Sequence, residues 1–235
     1  FADASRMAQR VQKQSPKEPT GFVLEGDVLM AQKKTAQALK AYEAAYAVRK
    51  SAALVVKLHS VYMQAGRHDE AKARVADWLT EFPEDNGVRL YMAGDKLKRG
   101  DLKSAIEDYE MLLKKLPDNV IVLNNLAWAY HRVNDARALE TAERAYKLGP
   151  DSAPVADTLG WILVQHASSA RGLELLQKAA SAAPNSPGIR YHLAYASYKA
   201  GDTTRARTEL ERLFAMKVDF DQQAEARKLL EQLRR

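Results

Sequence analysis

Cysteine is absent from this 235-residue chain, which excludes disulfides, thiolate metal sites and a cysteine nucleophile. Glycine and proline number only 11 and 8, too few for the dense turns of an all-β fold. No run of about 18 apolar residues occurs, so nothing here reads as a helix that crosses a membrane. Catalytic signatures are missing as well: there is no Gly-rich phosphate loop, no HExxH, no GxSxG and no carboxylate ladder at metal-binding spacing. The chain begins at Phe1 with no charged-then-apolar signal segment, and the expectation is an excised piece of a longer protein.

What is present points to helices. The chain is 46% hydrophobic and 28% charged, too apolar for disorder. Its net charge of +6 invites a nucleic-acid reading, but the distribution weakens it. Arg6, Arg10, Lys13 and Lys17 against Asp3 place +3 in the first 17 residues, leaving the remainder nearly balanced.

A fixed period organises the chain. Pro83, Pro117, Pro150 and Pro184 are 34, 33 and 34 residues apart, and 67 residues before Pro83 stands Pro16. Gly66, Gly100 and Gly201 echo the spacing. Aligned on these marks, units start near Pro19, Ala52, Asn86, Val120, Ala153 and Pro187. Each unit reads as two helices. In the unit from Asn86, Gly100 ends the first helix, Asp101 caps the second, and Pro117 prevents its continuation. After each proline a polar pair offers the next cap: Asp118 or Asn119, Asp151 or Ser152, Asn185 or Ser186.

The slots so filled resemble the tetratricopeptide repeat, with Leu58, Tyr62, Gly66, Ala71 and Pro83 in one unit, and Ala93, Gly100, Ala105, Tyr109 and Pro117 in the next. Small residues belong at positions 8 and 20, where the paired helices cross closely. Departures occur at His59 in a position-8 slot, at Gly172 in a position-20 slot, and at Asn134 where Gly is usual, although Asn tolerates the left-handed turn. Residues 1–17 match the second half of a unit, residues 18–219 six units, and residues 220–235 a helix that closes the last apolar face. The expected fold is an all-α right-handed superhelical solenoid. The acidic cluster of Glu107, Asp108 and Glu110 reads as a solvated outer face, and the scattered His59, His68, His131, His166 and His192 show no metal-site spacing. No cofactor or metal is expected.

The resemblance implies that first helices line a concave face through positions 2, 5, 6, 9, 12 and 13. Carried over, this gives Tyr91 and Lys98; Asn124, Asn125, Trp128, His131 and Arg132; Asp157 and Trp161; and Tyr191, His192, Tyr195 and Lys199. Rigid aromatics with a few hydrogen-bonding groups suit a protein or peptide ligand. Asn125 resembles the inward Asn that holds a ligand backbone in some arrays. The same rings also fit packing between neighbouring helices, and both readings stand for different rings. The alternatives are a helical-repeat nucleic-acid binder, which the balanced charge and 34-residue period argue against, and the regulatory region of a larger enzyme.

Residues 124–165 and 183–213 further resemble the C-terminal repeats of bacterial tetratricopeptide lipoproteins of PEP-CTERM/exosortase and exopolysaccharide systems. That resemblance implies a non-catalytic scaffold for export or polysaccharide assembly in the periplasm or at the outer membrane of a Gram-negative bacterium. It also implies attachment through a lipid anchor upstream of Phe1.

Overall fold

The computed structural model describes residues 1–166 and 169–234, Ser169 by its backbone alone. Ala167 and Ser168, within the unit expected from Ala153, and Arg235, at the end of the expected closing stretch, lie outside the described residues. Among the described residues there are fourteen helices and no strand. After α1 (Ala2–Gln14) come six pairs: α2 (Thr20–Ala31) with α3 (Thr35–Val48), α4 (Ala52–Gln64) with α5 (His68–Glu81), and α6 (Asn86–Lys98) with α7 (Leu102–Lys115). The series continues with α8 (Val120–Arg132) and α9 (Ala138–Leu148), α10 (Ala153–Gln165) and α11 (Ser169–Ala182), α12 (Pro187–Lys199) and α13 (Thr203–Ala215), and ends at α14 (Gln223–Gln232). The fold is an all-α solenoid of helix–turn–helix repeats. Two compact units divide it, Phe1–Met92 and Ala93–Arg235.

Local chemistry places the helix ends. The Asn119 carboxamide oxygen accepts from the Ile121 and Val122 amides at 3.1 and 3.0 Å, and Asp202 accepts from Arg205 at 2.9 Å, satisfying first-turn donors that the helix itself cannot. Asp101 caps α7 in the same way. Ser152 and Ser186 stand at cap positions but accept no such bond; Pro154 and Pro187 start those helices, where a missing N–H costs nothing. Between paired helices Asn134 adopts a left-handed φ of 56°, so the turn survives without glycine. Lys33 does the same at φ 60°, at a cost of about 1 kcal/mol.

In the first unit, Ala38, Ala45, Leu58, Tyr62 and Val75 form a core that includes Trp78, whose indole N–H donates to Asp85 at 2.7 Å. His59 is accommodated at its crossing by burial beside Tyr91: its Nδ1 lies 3.0 Å from the Tyr91 hydroxyl, and the rings meet edge to face at 5.4 Å. In the second unit, Gly160 of α10 and Gly172 of α11 pack backbone to backbone. A Cβ on Gly172 would lie 2.7 Å from Val164 Cγ2 and 2.8 Å from the Gly160 carbonyl oxygen. Gly172 therefore answers Gly160 across an unusually close crossing.

Two of the three outer acidic residues are not merely solvated, whereas Glu107 is exposed as expected. Asp108 pairs with Lys96 at 2.6 Å. Glu110 accepts from the Tyr130 hydroxyl at 2.6 Å and from Arg137 at 2.8 Å, and these two donors hold its carboxyl below its usual range. The first unit repeats the tyrosine bond, from Tyr62 to Glu43 at 2.6 Å. A tyrosine of one repeat thus ties to a glutamate of the preceding repeat in each unit. At the C-terminal side Ala226, Leu229 and Leu230 of α14 are buried in one cluster with Tyr191, Ala194, Leu210 and Leu213.

Candidate functional site

Within the second unit the first helices α8, α10 and α12 are neighbours, and their side chains meet in one aromatic cluster. The Trp161 ring stacks on His192 at 4.1 Å and 23°, and lies 5.2 Å from Tyr195. Trp128 approaches His192 at 5.9 Å and His131 at 5.8 Å. Three successive repeats therefore contribute to one face, because each ring projects from an equivalent turn of its helix. Both indoles remain partly exposed.

Polar groups hold these rings in place. His192 Nδ1 lies 2.8 Å from Asp157 Oδ1, and the carboxylate fixes the proton on that nitrogen. The other ring nitrogen, Nε2, is buried and has no hydrogen-bond partner among the described residues. Asn124 donates to Asn125 Oδ1 at 3.4 Å, and Asn125 donates to the Tyr109 hydroxyl at 3.2 Å. Burial pushes that Tyr109 hydroxyl up to about 12, so it stays protonated.

The expected residues separate accordingly. Trp128, His131, Asp157, Trp161, His192 and Tyr195 come together. Arg132 and Lys199 are exposed at the last positions of α8 and α12, and Lys98 at the last position of α6. Tyr91 belongs to the first unit, where its partner is His59. Three expectations need correction. His192, only 4% exposed, is a buried support beneath Trp161 and not a residue that lines an open face. Tyr191, only 5% exposed, packs under α14 as core instead of lining an open face. The Asn125 amide is engaged on both sides by Tyr109 and Asn124, and the free buried acceptor is instead Asn124 Oδ1. The Asp157–His192 pair escaped the sequence reading; the two sit one repeat apart, and only that spacing hinted at their meeting.

His131 is held below the ordinary histidine value by burial, with smaller effects from His166, His192 and Arg132. The unfolded chain therefore takes up this proton first, and stability falls as the pH drops below about 6.5. His131→Gln is expected to remove part of that loss. Urea midpoints at pH 7.5 and 5.5 check it, and equal pH dependence in both chains would contradict the assignment.

A tetratricopeptide repeat family model matches residues 29–93 and 163–233, and a second one of the same description matches 1–54 and 90–153. The chain belongs to the tetratricopeptide repeat family. A TPR repeat-containing protein of Pseudomonas aeruginosa is 26% identical over 121 residues, 51% of this chain and 20% of that protein. Cellulose synthase 1 operon protein C of Komagataeibacter xylinus is 28% identical over 162 residues, 66% of this chain and 12% of that protein. The chain thus spans a small fraction of either relative. The Cut9–Hcn1 hetero-tetramer of APC/C offers a solved chain that superimposes with a TM-score of 0.77 at 14% identity, over 99% of this chain and 46% of that one. Tetratricopeptide arrays generally bind proteins or peptides and are typically non-catalytic. Among the described residues no helix is long and apolar enough to cross a membrane.

Proposed function

We propose that this chain is a non-catalytic tetratricopeptide scaffold whose face of α8, α10 and α12 docks a protein or peptide partner, in the service of envelope export or exopolysaccharide assembly. The observation that carries the docking reading is the pair of partly exposed indoles, Trp128 and Trp161, oriented around the His192–Asp157 pair. Such rings bury area on binding while losing little rotamer freedom. The likeness to a cellulose synthase operon protein supports the polysaccharide setting, and the resemblance of residues 124–165 and 183–213 to envelope lipoprotein repeats supports the location.

Trp128→Ala is expected to weaken binding of the partner recovered by affinity capture by about 2 kcal/mol or more, roughly thirtyfold, with little change in melting temperature. Glu107→Ala, on the exposed side of α7, is expected to leave binding unchanged. Titration calorimetry and thermal melts on the same proteins decide the matter. If Trp128→Ala instead costs several kcal/mol of stability, the ring is core and the docking face loses its anchor.

A further inference from the structure

Five rings run across three repeats of the second unit as one ladder. His131 and Trp128 of α8 lie 5.8 Å apart, Trp128 and His192 5.9 Å, His192 and Trp161 4.1 Å, and Trp161 and Tyr195 5.2 Å. Imidazole and indole alternate along the first four. The inner imidazole is held: His192 is buried and seated on Asp157. The outer one is not. His131 is the second-last residue of α8, half-buried, and its ring makes no hydrogen bond among the described residues. Packing against Trp128 is what keeps that ring in place, and a change of rotamer removes it without breaking a polar contact.

The charged groups that face His131 are of one sign. Burial is the larger effect against a proton on its ring, and His166 at the end of α10, His192 on α12 and the adjacent Arg132 add to it. Carboxylates on the neighbouring elements are engaged elsewhere: Asp135 after α8 with Arg137, Glu110 of α7 with Tyr130 and Arg137, and Asp157 of α10 with His192. The negative end of the α8 dipole favours the proton, but by less than burial disfavours it, since His131 is held below the ordinary histidine value. A proton therefore binds more tightly to this ring in water than to the same ring packed on Trp128. Lowering the pH favours the arrangement in which the ring has swung out. The corresponding slot of the other five repeats holds Met30, Met63, Leu97, Val164 and Tyr198, none of which titrates near neutrality. The titratable ring is particular to the repeat that carries Trp128.

We infer that His131 is a proton-operated cover for Trp128: at neutral pH its ring packs on the indole, and in acid it moves into water and uncovers the indole. The inference rests on the proposed docking role of this face and adds how the face is regulated.

The test reads Trp128 in the full chain without any ligand. The three tryptophans are labelled as 5-fluorotryptophan, their fluorine resonances are assigned through Trp78→Phe, Trp128→Phe and Trp161→Phe, and spectra are taken from pH 8 to pH 5. The Trp128 resonance is expected to shift with a midpoint below 6.5 and to gain solvent isotope shift in D2O, while that of Trp78, in the first unit, stays in place. His131→Gln, and His131→Phe, which keeps a ring without a proton site, are expected to abolish the step. His166→Gln is expected to keep it and raise its midpoint, because one group opposing the proton is gone. Far-UV circular dichroism unchanged over the range shows that each chain stays folded. A step that persists in both His131 variants, a Trp128 resonance that moves without added solvent access, or a step that coincides with loss of helical signal would overturn the inference. Such a failure leaves the Trp128→Ala binding test standing, whereas failed binding there leaves the proton step to be read on its own.

Discussion

Replacing Gly172 with leucine is expected to destabilise the second unit by about 3 kcal/mol or more, lowering its melting temperature by roughly 6 °C or more. Of the nearest atoms a Cβ would meet, the Gly160 carbonyl oxygen at 2.8 Å and the Val164 amide nitrogen at 3.1 Å are backbone, and backbone inside a helix cannot swing aside. Helices α10 and α11 must therefore separate along their length. The loss should appear despite leucine's better helix propensity, worth about 0.8 kcal/mol over glycine. Gly160→Ala, whose added carbon would meet Leu176 Cγ at 2.9 Å and the Gly172 carbonyl oxygen at 3.0 Å, is expected to cost about 1–3 kcal/mol. Gly188→Leu is the size-matched control, since nothing lies within 4 Å of its would-be Cβ. Differential scanning calorimetry measures all three, and a Gly172→Leu protein that melts with the unaltered chain would refute the close crossing.

Removing residues 220–235 should have a comparable effect by a different route. In the intact chain Leu229 and Leu230 of α14 are buried, and each contributes about 1.5–3 kcal/mol by leaving water. Their loss also uncovers Tyr191, Ala194, Leu210 and Leu213, an apolar face made by α12 and α13. Repeat arrays expose such faces at an uncovered end and tend to associate through them. The shortened chain is expected to melt several degrees lower and to elute as dimers or larger species at tens of micromolar. A monomer of unchanged melting temperature would show that α14 does not close the array. Because Tyr195 packs against this cluster and touches Tyr191 within it, the same truncation should also disturb the docking face.

The relation between sequence and structure follows the range of each interaction. Gly66, Gly100 and Gly201 take left-handed φ values of 73°, 82° and 85°, and Asn134 follows at 56°, because a helix stop is decided by one residue's own backbone freedom. The 34-residue period was legible for the same reason: caps, stops and the small residue at a crossing recur within a few positions of each other, and six repetitions reinforce one signal. Glu110 shows where that legibility ends. Its partners Tyr130 and Arg137 lie 20 and 27 residues away, and a helix-face pattern could only describe it as outward.

The site was legible as a set of positions and not as a set of contacts. The rings Trp128 and Trp161 were identifiable from their slots, but the stacking of Trp161 on His192 and the seating of His192 on Asp157 depend on how far each helix is rotated about its own axis. Asn125 turned toward Tyr109 for that reason, and Tyr191 became core because α14 folds over it. The sequence by itself determined the helical repeat, its turns and its family, since these rest on local backbone preferences that recur with the period. Only the tertiary structure decided which aromatic is covered, which acceptors lack a donor and which cations go unpaired, because those depend on the meeting of side chains one or more repeats apart.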